Sequence, residues 1–167
     1  TEEGAWESAF VDLLRRLVPI VRGRTMALFT SYRQMNTVAA RLEPDLTRAG
    51  FTLHVQGRDG SATQVVQALR EGENVIAFGT NSLWEGVDIP GPALSCLVMT
   101  RLPFSPPNSP ILQARSQKIS RAGGSSFMQL QLPEAVIRFK QGFGRLIRHS
   151  NDRGVVVILD NRITANR

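Results

Sequence analysis

The chain has 167 residues, 42% apolar and 20% charged, which is enough apolar material for a packed core and excludes a disordered segment. Its single cysteine, Cys96, excludes a disulfide framework or a cysteine-rich metal site within one chain, and no apolar run approaches the roughly 18 residues of a membrane helix. The net charge of +6 and a pI near 10.9 favour an anionic partner such as nucleic acid or a nucleotide, although modest positive charge is common in proteins of every kind.

With neither a signal peptide nor a span, the expected location is the cytoplasm. The first residue is Thr1, not methionine, so the chain reads as a cut piece of a longer protein or a processed product. Residues 2–22 read as an amphipathic helix, because Trp6, Phe10, Leu13 and Leu17 recur on one helical face. Arg22, Gly23 and Arg24 close it, with Gly23 as the cap. TMALFTS (25–31) is short, apolar and bounded by turn residues, which predicts a buried strand. A helix over 32–49 carries Met35, Val38, Ala39 and Leu42 on one face, and Pro44 predicts a kink or split in it. FTLHVQG (51–57) is a second strand. Ser61 can cap a helix bearing Val65, Val66 and Leu69 that ends near Gly72. NVIAFGT (74–80), ALSCLVMT (93–100, with Cys96 as a small buried residue) and GVVVILD (154–160) complete five strands.

Strands that are apolar throughout are buried on both faces, as in parallel sheets, and alternation with helices predicts right-handed βαβ units. The expected fold is therefore α/β, a three-layer domain over 1–167 with a mainly parallel sheet and helices on both faces. Ligands in such sheets sit at the carboxyl ends of the strands, here residues 30–32, 79–88, 100–104 and 160–162.

LPFSPPNSP (102–110) holds four of the nine prolines and reads as a stiff exposed loop. A short helix over 108–121 bears Arg115, Lys118 and Arg121, and RAGGSS (121–126) reads as flexible. Pro133 and Glu134 suit the start of a helix. From there Val136, Phe139, Phe143 and Leu146 form an expected buried stripe. Arg138, Gln141, Arg145 and Arg148 repeat the same spacings on the opposite side, where their donors suit phosphate oxygens. Gly142 and Gly144 interrupt this helix at a cost of about 1 kcal/mol each. Either they admit a neighbouring backbone or ligand, or Gly144 merely ends the helix and the arginines are a solvated face.

QGFGRLIR (141–148) resembles motif VI of the superfamily-two helicases, QxxGRxxR. GTNSLWEGVDIPG (79–91) resembles motif V of the DinG/XPD branch, and LFTSY (28–32) resembles its motif IV. RLPFSPP (101–107) and ILDNR (158–162) are similar to the segment after motif V and to the closing strand of that branch. Leu83 departs from the pattern, which usually has an aromatic there. The resemblance covers nearly the whole chain and implies the second RecA-like motor domain of an ATP-dependent DNA helicase. Neither a GxxxxGK[ST] phosphate loop nor an Asp-Glu-x-His box occurs in these residues. One cysteine cannot hold the branch's iron–sulfur cluster, which belongs to the first domain.

By this resemblance ATP with Mg²⁺ is shared with a first motor domain, and single-stranded DNA lies across both. Arg145 and Arg148 are the implied arginine fingers, with Gln141 beside the γ-phosphate or attacking water and Gly144 in the same motif. Asp88, with Glu85 and Gly86, is implied to meet the ribose or couple to the fingers; a turn before Ile89-Pro90-Gly91 also accounts for it. Thr30, Ser31, Thr80, Ser82 and Arg101 are candidate DNA contacts at strand ends. Trp84 either stacks on a base or packs its loop. Arg115, Lys118 and Arg121 either extend a strand-tracking groove or form a solvated face. His54 and His149 have no metal-ligand spacing. The competing functional readings are a nucleic-acid-binding module without motor activity and, from the fold alone, an α/β transferase acting on a sugar nucleotide. Only the helicase reading accounts for the order of the three motifs.

Overall fold

A computed structural model describes residues 2–80, 83, 93–106, 108–146 and 153–160, with residues 2, 3, 142, 143 and 145 described through their backbone alone. Two compact units emerge: Thr1–Arg101 with Arg145–Arg167, and Leu102–Gly144.

The first unit is built on β1 (Thr25–Leu28), β2 (Thr52–Val55), β3 (Val75–Gly79), β4 (Cys96–Met99) and β5 (Val155–Ile158), in the order β2-β3-β1-β4-β5. Every pairing is parallel, with Ala27 facing both Phe78 and Val98 in register. Among the described residues three helices flank it: α1 (Glu2–Ile20), α2 (Tyr32–Arg48) and α3 (Ala62–Glu71). The connection through α2 runs outward past β3 to β2, and the one through α3 runs back to β3. Right-handed crossovers therefore place α2 and α3 on opposite faces, the layering expected from the sequence.

The α1–α2 face holds the main core. Phe10, Val11, Leu14 and Val18 of α1 and Met35, Val38, Ala39, Leu42 and Leu46 of α2 close over Ala27, Phe29, Ile76, Phe78 and Val98. Aromatic rings run through it from Trp6 to Phe10, Phe29 and Phe78, with centroids 5.1, 5.6 and 5.0 Å apart. Each fully buried side chain of this size contributes roughly 1.5–3 kcal/mol, so this row ties α1 to the centre of the sheet. Cys96 lies in the same core, where burial pushes its thiol up to about 11 and makes it a poor nucleophile.

Local chemistry sets the ends of the helices. Ser61 and Gln64 form a reciprocal capping box at the start of α3. After α1 the chain passes through left-handed backbone at Arg22, Gly23 and Arg24, and the Gly23 N–H bonds the Val18 carbonyl at 3.0 Å. A Cβ on Gly23 would sit 2.7 Å from Asn74 Cα, so both conformation and space demand glycine. Pro44 does not split its helix: α2 is one element from Tyr32 to Arg48. Its buried face, from Met35 to Leu46, outweighs the one lost backbone bond.

In the second unit α4 (Pro110–Arg121) packs against a π-helical stretch, Phe127–Gln131, that continues directly into α5 (Leu132–Leu146). The helical run thus starts before Pro133, the position where the sequence placed its beginning. The wide turns lie immediately before the proline, which has no N–H to give and whose ring crowds a normal preceding turn. The expected buried stripe of α5 is only partly so. Leu146 is buried, Phe139 is half-buried, and Val136 is exposed, while Ala135 is buried instead. Spacing identified a face, but among the described residues Val136 on that face is exposed.

Candidate nucleic-acid interface

Because all five strands are parallel, their carboxyl ends share one edge of the first unit. Extending the register beyond β1 and β4 brings Phe29 opposite Thr100 and Thr30 opposite Arg101, with the Thr100 N–H bonded to the Leu28 carbonyl at 3.0 Å. Thr30, Ser31, Thr80 and Arg101 therefore lie along one edge, as the sequence predicted. Thr30 and Arg101 are exposed.

Ser31 already has a structural duty. It is the N-cap of α2, and its hydroxyl accepts the Gln34 N–H at 3.4 Å. The hydroxyl proton is still available to donate outward, beside the positive end of the α2 dipole, so the same residue can cap a helix and meet an oxyanion.

Gln56, one residue beyond β2, was not singled out by the sequence reading. It is 8% exposed, and its Oε1 accepts the Thr80 N–H at 2.9 Å. The Thr80 hydroxyl lies 3.4 Å from both Gln56 Oε1 and Tyr32 Oη. Gly79 permits this approach, since a Cβ there would stand 2.9 Å from Gln56 Oε1 and 2.6 Å from Leu83 Cδ2. Leu83, the departure from the family pattern, is fully buried against that glycine. A polar residue directly after an apolar strand run was the available signal for Gln56, and the pattern of strands alone did not distinguish it from a loop residue.

In the turn after β2, Arg58 binds Glu43 at 2.7 and 2.8 Å and Asp59 at 2.8 Å. Asp59 also accepts the Val55 N–H at 2.8 Å. Burial works to raise the Asp59 carboxyl, but the Arg58 guanidinium and the Val55 N–H outweigh it and hold it below the usual range; the same pairing raises Arg58. This clamp fixes the turn after β2 and, with it, Gln56.

The second unit uses its charges differently. Arg138 donates to Ser105 Oγ at 2.8 Å and to the Pro103 carbonyl at 3.4 Å, gripping the chain on both sides of Phe104. Glu134 approaches Ser105 Oγ at 3.5 Å and Arg115 at 3.6 Å. Arg138, read from the sequence as part of a phosphate-facing stripe, is thus engaged in holding the proline-rich loop. Around it lies a notch of about 230 Å³ between Ser105, Arg115, Glu134 and Arg138, smaller than the roughly 300–1,000 Å³ of ligand pockets. Farther along α5, Gln141 is exposed, and a Cβ on Gly144 would meet nothing within 4 Å. Gly144 does not end the helix, which continues to Leu146 through Arg145. Ser82, Trp84, Glu85, Gly86, Asp88, Arg148 and His149 lie outside the described residues. Among the described residues no three His, Cys, Asp or Glu side chains gather as a metal site, and no helix is long and apolar enough to cross a membrane.

The family model for the helicase C-terminal domain matches residues 14–167. The chain belongs to this family. This helicase C-terminal domain is similar to the ATP-dependent DNA helicase YoaA of Escherichia coli K12, 42% identical over 153 residues that cover 90% of this chain and 23% of the relative. It is also similar to the ATP-dependent DNA helicase DinG of Photobacterium profundum, 40% identical over 164 residues that cover 95% of this chain and 24% of that one. The domain therefore spans about a quarter of the length of the curated relatives it matches. A solved XPD helicase shares the fold, with a TM-score of 0.71 at 23% identity over 95% of this chain and 28% of the other. The five-stranded parallel sheet with helices on both faces is the RecA-like arrangement of such helicases.

Proposed function

We propose that this helicase C-terminal domain is the second motor half of an ATP-dependent DNA helicase of the DinG type, all of residues 1–167 serving that role. The observation that carries the reading is similarity at 40–42% identity, along nine-tenths of the chain or more, to proteins named ATP-dependent DNA helicases. The described end of α5 supports it, because Gln141 is exposed and a Cβ on Gly144 would meet nothing within 4 Å.

In this reading Arg145 and Arg148 reach the γ-phosphate of an ATP held by a first motor domain. Their guanidinium groups stabilise the charge that develops on the transferring phosphoryl oxygens. Gln141 orients the attacking water or the phosphate, Gly144 lets the neighbouring domain approach, and Asp88, supported by Glu85 and Gly86, meets the ribose or couples to the fingers. The donor set fits a phosphate: amide and guanidinium N–H groups bind oxyanions and do not ligate Mg²⁺. Because these residues hold neither a phosphate loop nor an Asp-Glu-x-His box, in this reading the first domain supplies the magnesium ligands and this chain alone does not hydrolyse ATP. Thr30, Ser31, Thr80, Ser82 and Arg101 bond the backbone of single-stranded DNA, a contact that tolerates any sequence.

The test is ATP hydrolysis with and without single-stranded DNA by this chain, by the full-length protein, and by the full-length protein carrying Arg148→Ala. The chain is expected to be inactive and the full-length protein DNA-stimulated, with the variant slowed at least roughly 10²-fold. An unchanged variant moves the finger role to Arg145 or makes the helix structural. A full-length protein without DNA-stimulated hydrolysis overturns the motor reading in favour of a binding module.

A further inference from the structure

The second unit, Leu102–Gly144, holds five basic residues, Arg115, Lys118, Arg121, Arg138 and Lys140, against the single acid Glu134. It thus carries +4 of the chain's net +6 in about a quarter of its length. Lys118, Arg121 and Lys140 are exposed. On this unit Phe104 and Phe127 stack, with ring centroids 5.9 Å apart and planes 26° from parallel. Phe104 is half-buried, whereas Phe127, the outer ring, is 43% exposed.

Hydrogen bonds brace the backbone around the pair. Arg138 bonds the residues on either side of Phe104, and Glu134 links that bracket to Arg115. Phe127 begins the π-helical stretch, six residues after Arg121, and the turn between them folds back on α4 through the Gly124 N–H and the Ile119 carbonyl at 3.0 Å. A partly exposed aromatic pair on a unit that also carries exposed cations is the chemistry that receives an unpaired base, since every base has a π-face and the neighbouring phosphates need positive charge.

We propose that the Phe104–Phe127 pair is a stacking station for one base of single-stranded DNA, with Phe127 as the contacting ring. The inference rests on the DNA-binding part of the proposed function and adds a base contact to its backbone contacts. An apolar protein partner is the rival occupant, and the charge of this unit favours the nucleic acid.

The test uses the whole chain with an oligothymidylate of about twelve nucleotides, within the range of single-strand site sizes, and with an abasic strand of equal length. Phe127→Leu and Phe127→Ala are expected to bind oligothymidylate about tenfold more weakly, in line with the worth of one stacked base. Binding to the abasic strand should not change, and Phe127→Tyr should match the parent chain. Photocrosslinking to 5-iodouracil should attach at Phe127. If Phe127→Leu binds oligothymidylate as tightly as the parent, the station does not exist. If the variants lose as much affinity for the abasic strand, Phe127 serves packing and the proposal falls. Equal binding of both strands by the parent chain removes the station and leaves the backbone contacts standing. Binding of neither strand removes the DNA contact altogether.

Discussion

The two compact units use their polar groups to different ends. In the first, polar groups after β2 are paired with one another: Arg58 satisfies Glu43 and Asp59 at the surface, and Gln56 is buried while holding Thr80. In the second, Lys118, Arg121 and Lys140 point outward, and apolar Ile111, Met128, Val136 and Ile137 are exposed beside them. The first unit uses its interactions to fix a surface of backbone and hydroxyl groups. The second leaves cations and large apolar side chains at its surface. In the proposed function, a motor half would need both a stable scaffold and a surface for DNA and a second domain, and the two units would divide these tasks.

The widest expected gap lies between the cores. Phe78→Ala, at a fully buried ring in the first unit, should cost about 3–5 kcal/mol, while Val136→Ala should stay within about 0.5 kcal/mol. Urea unfolding of both variants checks this, and a large loss at Val136 would show that α5 has a buried partner. The glycines sharpen the contrast. Gly23→Ala forces a side chain into left-handed backbone and against Asn74, and should cost about 2 kcal/mol or more. Gly144→Ala, with open space around it, should stabilise the chain by about 0.5–1 kcal/mol in the same assay. If it also slows ATP hydrolysis by the full-length protein, the gap serves an approaching domain.

The smallest effect concerns pH. The Asp59 carboxyl is depressed in the folded state, so its contribution is present above its ordinary value of 3.8 and lost as the pH falls below that through the native value. Asp59→Asn should cost roughly 1–2 kcal/mol at neutral pH. The difference in melting temperature from the parent should then shrink as the pH drops below 3.8. A difference that persists in acid would mean that the introduced amide disturbs the turn by its shape and hydrogen bonding, not by the lost charge.

The five strands, the α1 to α3 periodicities and the Ser61 cap were legible because each depends on residues close in sequence. Continuous apolar runs such as Val75–Gly79 can only be buried on both faces, and that fixes a parallel sheet with helices outside. The order QGFGRLIR after WEGVD after LFTSY was legible for the same reason, as local spelling of a family. Tertiary structure decided what depends on neighbours distant in sequence. Only the fold showed that Gln56 reaches Thr80, twenty-four residues on, that Arg138 turns from its stripe to grip Ser105, thirty-three residues back, and that Pro44 sits in an unbroken helix held by its buried face. Periodicity names the face of an element and the residues on it. Which neighbour completes each side chain is settled by packing, because burial and hydrogen-bond satisfaction are properties of the whole fold and not of a window along the chain.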